Sequence, residues 1–321
     1  MYALRVARDD DAPRLAELLS IGQKEPVTAE TIRNWRQTQS PERIATCLVA
    51  TDRDGRVVGF GQAVRDPWLP PGDFFLYGVV DPATRRRGIG SQLFDAVVRF
   101  AHEHGASVLR CEVQEANPDG LRFARRHGFR IERYSSASRL ALSTFHERPF
   151  LRYVERAEAS GIRFLTLADV GNAADPRRTY YELFEDFAVE SPKWPDSRIP
   201  YEQFEREFYE MPTYRAEAQV IAAAGQEWIG LTALVYFEQS ETMQSLMTGV
   251  VPAYRGRGIA QALKVLSIRS ARRYGVSHIH SDCDLNDPTN AAMAAINRKL
   301  GYRSEPGHYA MVRQERVSVQ G

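Results

Sequence analysis

Cysteine is scarce in this chain: Cys47, Cys111 and Cys283 are the only three in 321 residues. Three scattered thiols build neither a disulfide framework nor a zinc site. Cys111 and Cys283 fall in strand-like runs, where a thiol reads as a small, inert, buried group. Long apolar runs are missing too, and none reaches the roughly 18 residues of a membrane span. The start, Met1-Tyr2-Ala3-Leu4-Arg5, lacks a signal-peptide core. Excess charge is also missing, since 42 Lys and Arg face 41 Asp and Glu. A balance of this kind gives no overall field that would draw nucleic acid or an anionic membrane. The basic run Arg85-Arg86-Arg87 has no interleaved aromatic platform for stacking bases. Neither a Gly-x-Ser-x-Gly elbow nor a Gly-Lys-Ser/Thr phosphate loop occurs. These absences lead to the expectation of a cytoplasmic protein, a monomer or homodimer, with a small-molecule partner and no nucleic acid or membrane.

What the chain does have, it has twice. Arg85-Arg86-Arg87-Gly88-Ile89-Gly90 and Arg255-Gly256-Arg257-Gly258-Ile259-Ala260 both read Arg-x-x-Gly-x-(Gly/Ala). Each follows a β-rich apolar run: Phe74 to Val79-Val80-Asp81-Pro82, and Leu246 to Val250-Val251-Pro252. Each opens a helical pattern, with Leu93, Phe94, Val97 and Val98 in one and Leu263, Val265, Leu266 and Ile268 in the other. A strand, a glycine turn and a helix N-terminus make an anion site, because first-turn N–H groups lack intrahelical partners and the helix dipole favours negative charge. A solvated Gly-rich turn explains either copy alone. The existence of a second copy, and the matching residues downstream of both, strengthen the anion reading. Asn117 precedes Gly128-Phe129 by eleven residues, and Asn290 precedes Gly301-Tyr302 by the same eleven.

On these residues the chain resembles the GNAT superfamily of acetyl-CoA-dependent N-acetyltransferases. The resemblance rests on the Arg-x-x-Gly-x-Gly/Ala loops, the Val-x-Pro strand ends and the downstream Asn…Gly-Phe/Tyr helices. It covers nearly the whole chain as two tandem copies. It implies an α+β (α/β mixed) fold of two GNAT-like domains, each a mixed, mostly antiparallel twisted sheet with helices on both faces. It implies that acetyl-CoA (coenzyme A) binds along Val79, Val80, Arg85, Arg86, Arg87, Gly88, Ile89, Gly90 and Asn117. The second set is Val250, Val251, Arg255, Gly256, Arg257, Gly258, Ile259, Ala260 and Asn290. The loop amides would hold the pyrophosphate and the fourth strand would pair with the pantetheine arm. Replacing Arg85 or Arg255 is expected to weaken coenzyme binding, with a loss that shrinks at high salt.

In chain order, the domains read as 1–142 and 162–321, joined by a linker helix over 143–161 that begins at Pro149 and packs between the halves. Strands are expected at 3–8, Ile44–Thr51, Val57–Ala63 and around Phe129–Leu142, with helices after Asp9 and from Thr28. In the second half, Ile162–Asp169 echoes Leu4–Asp9, and a helix is expected over 201–210. Strands are expected near 214–224 and 228–238. The connection Glu190–Pro200, with Trp194 inside it, is longer than its counterpart Gly22–Pro26. Corresponding residues lie 170 apart at the loop glycines and 173 apart at Asn117 and Asn290, which puts about three extra residues between the fifth strand and Asn290.

Acetyl transfer from a thioester to an amine requires a proton acceptor for the amine, a donor to the oxyanion and, in many enzymes, an acid for the thiolate. Many GNAT relatives carry a tyrosine seven residues after the asparagine. Here those positions are Ala124 and Asn297, and neither is a phenol. Asn297 can still donate a hydrogen bond, to the sulfur or locally within its helix. The carboxylate that resemblance implies eight residues before the strand-end proline is replaced by Phe74 and Gln244. Asp282 stands among His280 and Asp284 on one face of the fifth strand by period-two alternation. Its first-half counterpart is Glu112. Glu238 and Glu241 lie at and beyond the end of the third strand. The candidate catalytic set is Asn297, Asp282, Gln244 and Glu241. Each carboxylate also reads as a solvated or capping group, and no metal is assigned to His280 and its aspartates. The expected activity is direct transfer to the primary amine of a small-molecule acceptor, with the C-terminal half the more suited to catalysis. The alternatives are a non-catalytic acetyl-CoA-binding protein and an acyltransferase for a longer acyl-CoA.

Overall fold

The computed structural model describes residues 2–21, 27–37, 39–170, 174–190, 198–284 and 288–315. Residues 22–26 and 191–197, with Trp194, and the side chains of Cys283 and Asp284 lie outside that description. Two compact units share the chain. The first comprises Met1–Tyr134 with His308–Gly321, and the second Ser135–Gly307.

The first unit runs β1 (Ala3–Val6), α1 (Ala12–Leu19), α2 (Ala29–Gln37), β2 (Ile44–Thr51), β3 (Val57–Arg65), β4 (Asp73–Val80), α3 (Ile89–Glu103), β5 (Val108–Gln114) and α4 (Pro118–Arg126), then enters β6 (Arg130–Ala141). β2 and β3 form the expected hairpin: Asp52 Oδ1 accepts from the Asp54 and Arg56 N–H groups and so fixes the turn. β1 to β4 pair antiparallel, and β4 pairs β5 in parallel. Residues 308–314 of the chain's last strand pair antiparallel with β5. Val97 and Ala101 of α3 pack with Phe74, Leu76, Leu109 and Met311.

The second unit continues with α5 (Leu151–Ala159), β7 (Ile162–Thr166), α6 (Ala174–Glu190), α7 (Tyr201–Phe204), β8 (Val220–Ala224), β9 (Glu227–Phe237), β10 (Thr242–Val250), α8 (Ile259–Arg273), β11 (His278–Asp284), α9 (Pro288–Lys299) and β12 (Arg303–Gln314). Strands β7 to β10 are antiparallel, β10 pairs β11 in parallel, and β11 pairs antiparallel with residues 135–141 of β6. Leu263, Val265 and Ile268 of α8 are fully buried. Each contributes about 1.5–3 kcal/mol through that burial. The helix expected from Pro149 is α5, and its Val154 packs into the same core as Val265 and Ile268 of α8, within the second unit.

Two local readings change. The helix expected over 201–210 is one α-helical turn followed by a π-helical turn, Glu205–Tyr209. The wider turn lets Phe204, Phe208 and Tyr209 all face one aromatic core. The extra residues of the second copy lie inside α9. Pro118 and Pro288 open α4 and α9 at the same 170 offset as the loop glycines, but α4 has 9 residues and α9 has 12. Asn117 is therefore a helix cap, whereas Asn290 sits within the first turn of its helix.

The path of the last strand makes a test. Met311 is 1% exposed in the core that includes Phe129. Met311→Ala is expected to cost about 2–5 kcal/mol and to remove amide-exchange protection from β5 while β9 stays protected. Hydrogen exchange read by mass spectrometry checks both.

Candidate active site

The two arginine loops fold alike. Each begins with a short 3-10 turn, Pro82–Thr84 or Pro252–Tyr254. Arg86 and Gly256 are left-handed at φ 64° and 77°, and Gly88 and Gly258 follow at 81° and 86°. Left-handed residues of this spacing belong to loops that gather backbone N–H groups around an anion. Gly88 and Gly258 cap α3 and α8, and no side-chain cap is present. The first helical bonds run from Gln92 N to Gly88 O and from Ala262 N to Gly258 O. The N–H groups of Ile89, Gly90 and Ser91, and of Ile259, Ala260 and Gln261, thus have no carbonyl within their helices. A diphosphate fits such a cradle. A Cβ on Gly88 would meet nothing within 4 Å, whereas one on Gly258 would lie 2.9 Å from Tyr153 of α5.

Arg85 and Arg255 have a second role. Arg85 Nε donates to Val80 O at 3.0 Å, and Arg255 Nε to Val250 O at 2.8 Å. Each guanidinium ties its loop to the end of the preceding strand. Arg255 also pairs with Glu190, and Arg86 with Asp119 at 3.1 Å. Arg87 reaches Tyr2, while Arg257 lies over the Tyr254 ring. Asn117 Oδ1 accepts from Gly120 N at 2.9 Å, so its side chain caps α4.

The parallel ladders are short. β4 and β5 pair from Asp73–Val108 to Phe75–Arg110, and β10 and β11 from Thr242–His278 to Ser245–Ser281. Beyond those rungs, Tyr77 to Val80 and Met247 to Val250 pair only with β3 and β9 in the ladders described. Each fourth strand therefore offers an edge that leads towards its loop. In β10 a bulge interrupts the strand between Ser245 and Met247, just where the ladder stops.

At this apex the second unit is polar on both faces. On one face Gln244 Nε2 donates to Asp282 Oδ2 at 3.1 Å, with His280 directly across from Gln244. His280 Nδ1 lies 3.5 Å from Glu305. On the other face the Ser245–Ser281 rung is backed by two helices. Lys264 Nζ of α8 donates to Ser245 Oγ at 2.9 Å, and Asn297 Nδ2 of α9 to Ser281 Oγ at 3.3 Å. Lys264 is 1% exposed, and its Nζ stands 5.5 Å from the Tyr302 ring centroid. Gln244, Asp282 and Asn297 are thus brought to one apex. Glu241 is not: it is exposed in the β9–β10 turn, left-handed at φ 51°, and its carbonyl accepts from Ser277 N. It lies at the opposite end of β10 from the loop. Among the described residues no three His, Cys, Asp or Glu side chains form a metal-binding group.

On the helix-backed face the first unit is apolar at the corresponding places, while on the other face Arg110 and Glu112 stand where the second has His280 and Asp282, and Arg110 pairs with Asp73 and Glu132. Leu76, Cys111, Phe94, Ala124 and Phe129 stand where the second has Ser245, Ser281, Lys264, Asn297 and Tyr302, and all five join one hydrophobic core. Burial pushes the Cys111 thiol up to about 12, so it stays protonated. Phe123 of α4 lies against the loop, 3.4 Å from where a Gly90 Cβ would stand.

The sequence model described as the Acetyltransferase (GNAT) family matches residues 12–129 and 177–302, one copy on each repeat. The chain belongs to the GNAT acetyltransferase family. No curated protein matches it in sequence. Solved structures share its fold. A GCN5-related N-acetyltransferase from Sphaerobacter thermophilus superposes with a TM-score of 0.72 at 18% identity, over 98% of this chain and 95% of the other. A tandem GNAT protein from the clavulanic acid biosynthesis pathway gives 0.75 at 16% identity, over 98% of both chains. A glucosamine N-acetyltransferase region of a fungal multi-domain β-N-acetylglucosaminidase gives 0.72 at 14%, over 97% of this chain and 38% of that one.

Sequence reasoning missed Lys264 and Ser245. A signal for Lys264 was there: Ala260, Leu263, Lys264, Ser267, Ile268 and Ala271 fall on one helical stripe, and a lysine in that stripe faces the core. Glu185 was missed too. It is 2% exposed on α6 and accepts from Ile199 N, while burial raises its carboxyl above the usual range.

The Nε bonds make a prediction for the loop arginines in this GNAT protein. Arg85→Ala and Arg255→Ala each remove one hydrogen bond of about 0.5–1.5 kcal/mol, which corresponds to roughly 2- to 10-fold weaker coenzyme A binding at that loop. The loss should persist in part at high salt, because a bond that shapes the loop is not screened as a bare charge is. Calorimetric titration at two salt concentrations checks this.

Proposed function

We propose that this GNAT protein is an N-acetyltransferase that moves an acetyl group from acetyl-CoA to the primary amine of a small molecule, and that its C-terminal half is the catalyst. One observation carries the choice of half: on the face of the sheet backed by α8 and α9 the apex where the parallel ladder ends is polar and hydrogen-bonded, whereas the corresponding face of the first unit is a hydrophobic core. Both loops have the same left-handed, N–H-rich form, so both suit a pyrophosphate.

The roles follow from the chemistry. The Ile259–Gln261 amides and the loop arginines hold the diphosphate. The free edge of β10 from Val250 towards the bulge pairs with the extended arm of the donor. Asp282, oriented by Gln244, accepts the proton of the incoming amine directly or through water. An amide of the bulge donates to the carbonyl oxygen as charge develops there. The N-terminal half keeps the loop without the polar helix-backed face, which favours a non-catalytic, coenzyme-binding or structural role for it.

A first measurement is binding itself. Coenzyme A at about millimolar concentration should raise the melting temperature by binding the native state; absence of any shift and of any calorimetric heat sinks the reading. Assigning the catalyst needs a matched pair. Gly258→Asp is unsuitable, since a side chain there would also meet Tyr153. Arg87 and Arg257 are both exposed and occupy the same loop position. Arg257→Asp is expected to lower kcat/KM for acetyl-CoA at least ~10-fold, about 1.4 kcal/mol, in thiol release across an amine panel. Arg87→Asp should leave most of it. The reverse pattern would assign catalysis to the first unit.

A further inference from the structure

Lys264 has no place in the roles above, yet it is one of the most deeply buried side chains of the protein. Burying an ammonium costs several kcal/mol unless polar groups take over from water. Lys264 Nζ donates to Ser245 Oγ at 2.9 Å and faces the Tyr302 ring at 5.5 Å. An apolar side chain would fill this place more cheaply, as Phe94 does at the corresponding position of α3. The lysine therefore carries a polar group into a place that the first unit fills with apolar packing.

Its location suggests the reason. Ser245 is the last residue of β10 in the parallel ladder, and the bulge comes at once after it. A donor whose diphosphate sits at Gly258 and whose arm runs along the free edge of β10 has its reactive end where that edge closes, at the Ser245–Ser281 rung. Ser245 Oγ accepts from Lys264 and so has its own O–H left to donate. A hydroxyl that accepts from an ammonium is a stronger donor than an ordinary one.

We infer that Ser245, backed by Lys264, stabilises the leaving thiolate in the C-terminal half. This rests on the coenzyme reading of the second loop. The amine nitrogen attacks the thioester carbonyl carbon, and the C–S bond breaks with its electron pair passing to sulfur. Ser245 O–H donates a hydrogen bond to that sulfur, and Lys264 balances the charge behind it. The amine's proton leaves through the proton acceptor to water, and coenzyme A departs as a thiolate that is protonated in solvent. Ser245 is the group that touches the sulfur, and Lys264 is a positioning residue that acts through it. The phenol that many relatives carry at the Asn297 position is not required.

The test needs no acceptor amine. The probe is coenzyme A alone, titrated with pH on the full chain while the ultraviolet absorbance of its thiolate is followed. An opposite charge at this range lowers a pKa by about 1–3 units, so the bound thiol should ionise about 10- to 1,000-fold more readily than the free one. Arg87→Asp serves as the background, so that the signal comes from the second loop. Lys264→Met keeps the volume and removes the charge, and should return the bound thiol to its free titration; Ser245→Ala removes the contact and should lessen the shift; coenzyme A still binds to both. If Lys264→Met does not fold, Ser245→Ala decides alone. A bound thiol that titrates as free coenzyme A does in the unaltered chain, or one whose shift survives both substitutions, overturns the inference. Failure of coenzyme A to bind at all overturns the reading beneath it instead.

Discussion

The candidate site of the second unit depends on a parallel ladder that stops early. Between β10 and β11 the pairing lasts from Thr242 to Ser245 and then ends. Parallel strands that pair throughout leave no backbone edge for a ligand. Strands that part after a few rungs expose one, and here it leads to a helix N-terminus with three uncommitted N–H groups. The left-handed Gly258 makes this possible, because it turns the chain from the strand end into α8 without a side-chain cap over those groups. Strand edge, turn and helix are thus one device: remove the early end of the ladder and the anion site has nothing to hold the rest of its ligand.

The two units repeat that device and differ in what lines its apex. In the first, Phe94, Leu76, Cys111, Ala124 and Phe129 supply ordinary hydrophobic burial. In the second, the same places hold two hydroxyls, an amide, a lysine and a tyrosine. A buried polar group must be hydrogen-bonded or it costs about 1–3 kcal/mol. The bonds from Lys264 to Ser245 and from Asn297 to Ser281 limit that cost without making the arrangement better than an apolar one. Stability therefore does not account for the polar apex. Polar groups on both faces of the sheet, Gln244 and Asp282 on one and Ser245 and Ser281 on the other, suit a reaction that deprotonates a nucleophile on one side and releases an anion on the other.

Much of this was legible in the sequence. The loops, their helices, the hairpin at Asp52–Gly55 and the repeated order of elements emerge from glycine spacing and periodicity, because these are local properties. Gln244, Asp282 and Asn297 were picked by position; the first two lie together on one face of the β10–β11 ladder and the third backs the other. Glu241 was chosen for its charge, and the turn that carries it points it into solvent at the far end of β10. Lys264 was passed over for a different reason: a lysine reads by default as solvated, although its place on the stripe of Leu263, Ser267, Ile268 and Ala271 puts it on the covered side of α8. Asn117 and Asn290 share a spacing to the next glycine without sharing a place in the helix, because α9 gained its three residues internally. Equal intervals in sequence measure the length of the insertion and leave its position open.

The path of the last strand suggests why an apolar, loop-bearing first half is kept at all. Tyr302, whose ring faces Lys264, lies just before β12. Nine residues further on, Met311 and Val312 are buried in the first unit at 1% and 0% exposure, on residues that pair with β5. One strand therefore begins in the second unit and supplies, at its end, the residues that pair with β5 in the first. Without β5 the apolar side chains within His308–Gln314 would lose a pairing partner on one side of their strand. A first half without the second would leave β5 as an exposed edge. The repeat boundaries in the sequence and the compact units in space do not coincide: the residues that pair with β5 of the first repeat come from the end of the second.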